Sequence, residues 1–211
     1  LAQPLTELVD QKTKGNPFFA TQFLKSLQED GLIAFNPTPL SSPLGVTGGW
    51  ECDIAKVKAL SISDDVVEFM ALQLQKLPPE TQDVLKLAAC IGAQFDLNTL
   101  AVVSEKSPEE TAANLWKSLQ EGFILPTSEI YKFYQGKEHR EKTDILPTTS
   151  AQLPNYRFLH DRIQQAAYSL IPEDRKQATH LKIGQLLLQK SSETQRQERI
   201  FDIVGHFNFA S

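Results

Sequence analysis

Apolar residues recur along this chain at the three- and four-residue spacing of helices, punctuated by glycine and proline. Leu5, Leu8 and Val9 mark a first helix that runs into Gly15. Phe19, Phe23, Leu24 and Leu27 mark a second, which starts at Pro17 and stops at Gly31. Residues 32–35 are a short apolar run suited to a strand. Residues 36–49, with three prolines and three glycines, have the composition of a loop. Residues 50–53 are expected to return as a second strand paired with 32–35.

From residue 63 onward helices follow one another. Val66, Met70, Leu74 and Leu77 form one stripe, and the adjacent Asp64 and Asp65 suit a helix N-terminus. Pro78 and Pro79 restart the chain into a helix that buries Val84, Leu87, Ala88 and Ile91 and ends at Gly92. Asp96 is placed to cap a short helix carrying Leu97, Leu100 and Ala101. Ser107-Pro108-Glu109-Glu110 fits a capping box, opening a helix that buries Ala112, Leu115 and Leu119 and stops at Gly122. The segments 25–33 and 117–124 echo one another: each is a helix end, a glycine stop and an apolar strand. Next come the apolar 123–125, an alternating segment 130–134, a polar loop over 135–155 and a strand at 156–160. Asp161 then opens or caps a helix with Ile163, Ala166, Ala167 and Leu170 on one face. Three helices, a strand, a loop and a strand are the order of a winged helix-turn-helix, with 123–160 as the wing. A long helix from Pro172 to Leu188 and another marked by Ile200, Ile203, Val204 and Phe207 read as the first pair of a helical repeat array. The fold class expected is therefore mainly α. Its parts are lid helices with a small β-hairpin over 1–62, a winged-helix domain over 63–171, and the start of a repeat array over 172–211.

Composition narrows the function without naming it. The chain has 211 residues, 41% of them hydrophobic and 22% charged, which is ordinary for a soluble globular protein. A net charge of −5 argues against a surface built to grip nucleic-acid phosphates or anionic lipid. No apolar run approaches the roughly 18 residues that span a bilayer. The start lacks both an initiator Met and a secretory leader, so the chain reads as a cytoplasmic piece of a longer polypeptide. Cys52 and Cys90 make no disulfide framework, and Cys90 continues an apolar helix face.

Chemistry is more conspicuous by what the sequence lacks. There is no phosphate-binding G-x-x-x-x-G-K-[ST] loop and no apolar strand ending in paired acids to hold magnesium. There is no G-x-S-x-G elbow. The four histidines, His139, His160, His180 and His206, show no metal-ligand spacing. No catalytic residue and no metal site is expected. A winged helix raises DNA binding as one alternative. The helix over 107–121, however, carries Glu109, Glu110 and Glu121 against Lys117 alone, whereas a major-groove helix needs cations and base donors. The loop 137–142 mixes both charges and reads as solvated. Trp50 and Trp116 are expected in cores.

With these residues in place, Gly15-Asn16-Pro17-Phe18-Phe19, the blocks 77–82 and 85–92, and Phe158-Leu159-His160-Asp161 continuing to Tyr168 resemble the C-terminal half of a STAND-type signalling ATPase. More narrowly, the likeness is to the AAA-ATPase-like region of large bacterial serine/threonine kinase and sensor histidine kinase hybrids, from about Leu5 to Asn208. That resemblance implies a preceding P-loop domain outside this chain, a lid whose turn at Gly15, Asn16 and Pro17 covers the adenine, and a winged helix whose His160 touches the β-phosphate of ADP. It implies ATP or ADP as ligand only together with that P-loop domain. The partners it implies are the upstream P-loop domain and downstream helical repeats, with further protein partners but no nucleic acid and no membrane. The function implied is a nucleotide-sensing switch, not catalytic by itself. The alternatives are a winged-helix DNA-binding regulator and an interaction scaffold with no nucleotide role. Simple capping also explains the turn: Gly15 as helix stop, Asn16 as N-cap and Pro17 in the first turn.

Overall fold

The computed structural model describes residues 2–36, 49–59, 65–127 and 154–211. The alternating segment 130–134 and the charged loop 137–142 lie outside the described residues. The chain is mainly α and divides into two compact units, Leu1–Phe69 and Met70–Ser211.

In the first unit, α1 (Ala2–Thr13) packs on α2 (Pro17–Glu29), and α2 continues into β1 (Ile33–Asn36). Leu8, Phe19, Phe23, Leu27 and Ile33 are buried, as the apolar spacing predicts. Phe23 meets Phe69 edge-on at 5.8 Å between ring centroids. β1 pairs antiparallel with β2 (Gly49–Cys52), with Phe35 opposite Trp50. This is the expected hairpin, displaced by one residue. A short helix that the pattern did not predict, α3 (Ile54–Ala59), follows. The unit division falls within α4 (Val66–Gln75), whose start is capped by Asp65, its Oδ1 accepting the Val67 N–H at 2.8 Å.

The second unit is built on α5 (Pro79–Ile91), β3 (Gln94–Asp96), α6 (Leu97–Ser104), α7 (Pro108–Gln120), β4 (Ile124–Pro126), β5 (Asn155–Phe158) and α8 (Asp161–Ser169). The three strands form one antiparallel sheet in the order β3–β5–β4. β5 alternates buried Tyr156 and Phe158 with exposed Asn155 and Arg157, so the sheet offers one face to the core. There Phe95 lies 5.8 Å from the Tyr156 ring and 5.7 Å from that of Phe158. α5 packs on α6, α7 and α8, and Leu85, Leu97, Leu100, Leu115, Ile124 and Ile163 are fully buried at the centre. β3 was not predicted, because three residues are too short to show alternation.

After α8 come α9 (Glu173–Lys190), α10 (Glu193–Glu198) and α11 (Ile200–Phe209). α9 packs on α6 with one side and on α11 with another. Among the described residues, no helix is long and apolar enough to cross a membrane.

The two echoed segments adopt one device. Gly31 and Gly122 take φ of +68° and +75°, and the following amides of Leu32 and Phe123 bond back to the carbonyls of Leu27 and Ser118 at 2.8 and 2.9 Å. This turn closes a helix with a left-handed glycine and launches a strand. Elsewhere caps depart in detail from expectation. Ser107 accepts the Glu110 N–H at 3.1 Å, but the Glu110 carboxylate pairs with Lys106 at 2.8 Å rather than reaching back to close a box. The reciprocal capping box is at Ser192 and Gln195, opening α10.

Candidate functional site

The turn at residues 14–17 begins with two successive left-handed residues, Lys14 at φ +53° and Gly15 at φ +72°. A residue with a Cβ is strained there, and glycine relieves one of the two positions. Asn16 is extended, and its Oδ1 accepts the N–H groups of Phe18 and Phe19 at 3.0 and 3.3 Å. Pro17 occupies the first helical position, where its missing N–H costs nothing. The turn is therefore the fully capped break that Gly15, Asn16 and Pro17 predict, and it belongs to the first unit.

His160 belongs to the second unit and differs from expectation in its local setting. β5 ends at Phe158, and His160 is the N-cap of α8, leaving Asp161 at the first helical position rather than at the cap. Its Nδ1 accepts the Arg162 N–H at 3.1 Å. A ring that accepts at Nδ1 carries its hydrogen on Nε2 when neutral, so the cap fixes the tautomer. The ring is half-buried at the start of a nine-residue helix. An Nε2–H donor beside a helix N-terminus is chemistry suited to an anion. The sequence misassigned the cap because aspartate is the commoner one and histidine is not among the preferred types.

The acidic character of α7 is as read. Glu109 and Glu110 are exposed in its first turn, and Lys117 pairs with Glu121 at 2.8 Å. Trp116, expected in the core, is 43% exposed on this helix, and Trp50 on the β-hairpin is 57% exposed. Trp50 sits in the β-hairpin and Trp116 on α7, and neither side chain is covered by a neighbouring element among the described residues. Cys90 is buried, and burial pushes its thiol up to about 12, so it is a core residue and no nucleophile. Among the described residues no group of three or more His, Cys, Asp or Glu side chains could hold a metal ion.

Two polar clusters escaped the sequence reading. His180 and His206, 26 residues apart, meet with Nδ1 atoms 2.8 Å apart. The only signal for them was that each shares a helix face with apolar neighbours, His180 with Ile183 and Leu187, and His206 with Ile203. Arg199, between α10 and α11, reaches the N-cap of α6, where it bonds Asp96 and Thr99.

Over 203 residues the chain is 34% identical to a hybrid signal transduction histidine kinase, kinase G of Dictyostelium discoideum. The match takes in 88% of this chain and 6% of that protein, so the chain spans a small part of its relative's length. No family model matches the chain, and no solved structure matches it.

Proposed function

We propose that this chain is the regulatory, nucleotide-sensing portion of a multidomain signalling kinase and is not catalytic by itself. The similarity to a hybrid signal transduction histidine kinase carries the reading, because it runs over nearly the whole of this chain and a small fraction of the relative. That pattern suits one module within a large signalling polypeptide. The strand and helix order of the second unit, helix–strand–helix–helix–strand–strand, suits a winged helix. The acidic, tryptophan-bearing exposed face of α7 suits packing on protein rather than on DNA. In this reading a P-loop domain of the same polypeptide supplies the phosphate cradle, His160 donates Nε2–H to the β-phosphate of ADP, and the Gly15–Asn16–Pro17 turn lies against the adenine. Downstream helical repeats receive or impose the signal.

The substitution His160→Asn separates ligand contact from capping, since an asparagine Oδ1 can still accept the Arg162 N–H. In the full-length parent protein this variant is expected to weaken ADP affinity by about tenfold or more, the value of one charge-assisted hydrogen bond. Isothermal titration and the nucleotide content of the purified protein read the effect. Unchanged ADP retention together with unchanged kinase signalling overturns the switch reading. A salt-sensitive shift of duplex DNA by the chain would move the assignment to a DNA-binding regulator.

A further inference from the structure

Tyr168 on α8, His180 on α9 and His206 on α11 form a polar chain where three helices meet. The Tyr168 hydroxyl lies 3.1 Å from His180 Nε2, and His180 Nδ1 lies 2.8 Å from His206 Nδ1. Both imidazoles are 7% exposed. The His180 ring lies over Phe209 at 4.1 Å between centroids and 5.0 Å from that of His206. Among the described residues, few charged and titratable groups surround these three side chains. Lys176 sits 4.8 Å above the Tyr168 ring and is paired with Glu173, Cys90 on α5 acts on Tyr168, and Asp202 on α11 acts on His206.

One hydrogen fits between two nitrogens 2.8 Å apart. Two neutral rings satisfy the contact, as does one imidazole with one imidazolium, but two imidazolium rings would set N–H against N–H. A second proton must therefore separate the pair, and even the first places a charge in a buried site. α11 leans heavily on this contact. Ile203 and His206 are its buried residues, whereas Ile200, Val204 and Phe209 are exposed and Phe201 is 86% exposed. Close packing of α11 on α9 depends on Gly184, where a Cβ would come within 3.3 Å of the Phe207 ring.

We propose that the His180–His206 pair is a proton-operated clasp, which fastens α11 to α9 at neutral pH and releases it as the pH falls. It stands independently of any nucleotide contact. Burial lowers the pKa of both rings, that of His180 from the usual 6.5 to about 4, with Asp202 partly opposing the shift at His206. A depressed histidine pKa means that the released state binds more protons than the fastened one. Stability of the clasp is complete above the ordinary histidine pKa and is lost as the pH falls from about 6.5 towards 4. For His180 alone, pKa values of 6.5 released and about 4 fastened raise the opening constant by about 20-fold between pH 7 and pH 5. His206 adds to that.

Hydrogen exchange on the chain at pH 7 and pH 5, expressed as protection factors corrected for intrinsic rates, tests the clasp. Protection of residues 200–209 is expected to fall about 20-fold or more at pH 5 while that of α5 stays within threefold. In the double variant His180→Phe/His206→Phe, which removes both titrating rings, the fall in α11 is expected to disappear. A fall of less than threefold, an equal fall in α5, or the same fall in the double variant overturns the proposal. Should that variant not fold, the wild-type imidazole resonances decide. Titration of His180 near pH 4, with His206 below its ordinary value, supports the clasp, and titration of both near 6.5 overturns it.

Discussion

The contact between Arg199 and the α6 cap should be, beside the His180–His206 pair, a polar tie of α10 and α11 to the rest of the second unit. Asp96 caps α6 through Oδ1, which accepts the Thr99 N–H at 2.8 Å. Its Oδ2 accepts the Thr99 hydroxyl at 2.5 Å and the Arg199 Nη2 donor at 2.8 Å, and Arg199 Nη1 also reaches Thr99 Oγ1. The Arg199 and Asp96 side chains are 28% and 26% exposed. That is too buried for the near-zero value of a surface pair and too exposed for a fully unscreened one. A charge-assisted bond in isolation contributes about 1.5–3 kcal/mol, so partial exposure brings Arg199→Met to about 1.5 kcal/mol. Asp96→Ala also removes the cap, worth about 1 kcal/mol, and is expected to cost about 2.5 kcal/mol. Urea denaturation of wild type, Arg199→Met, Asp96→Asn and the double variant, followed by circular dichroism, gives the coupling directly. We expect about 1–1.5 kcal/mol, decreasing in 0.5 M salt. A coupling below about 0.3 kcal/mol would show that Arg199 is not a tie.

Three further outcomes follow from the geometry. Asn16→Ala leaves the Phe18 and Phe19 amides without their acceptor and should destabilise the first unit by about 1 kcal/mol in thermal unfolding, with Asn16→Ser recovering most of it. Gly122→Ala forces an alanine to φ of +75° and is expected to cost about 1–2 kcal/mol in urea, with Ser118→Gly elsewhere in the turn a poor compensator. Leu115 is fully buried at the centre of the helical core, so Leu115→Ala should cost about 3 kcal/mol and lower the midpoint of the second unit, read by Trp116 fluorescence.

Most helices could be read from the sequence because they are set by neighbours three and four residues away. The stripes on α2, α5, α7 and α8 hold most of the buried positions, although Leu24 is 39% exposed and Leu87, Ile91, Leu119 and Leu170 are half-buried. The caps at Asn16, Asp96 and Ser107 bond the amides their positions predict. Short elements were harder to read. β3, α3 and α10 have too few residues for a period to register, and β3 becomes a strand only because β5 pairs with it. Exposure of Trp50 and Trp116 was also misjudged, because hydrophobicity states what a side chain would gain by burial and not whether a neighbour arrives to cover it.

What the sequence determined by itself was local: helix phases, glycine stops, proline starts, and the lack of a phosphate-binding loop. Each depends on backbone conformation and on residues within one or two turns. Only the tertiary structure decided which polar side chains meet. His180 finds His206 across 26 positions and Arg199 finds Asp96 across 103, and His160 rather than Asp161 takes the cap of α8. Such meetings are set by how helices pack, and packing is governed by the combined shape of many apolar side chains, which no local spacing records.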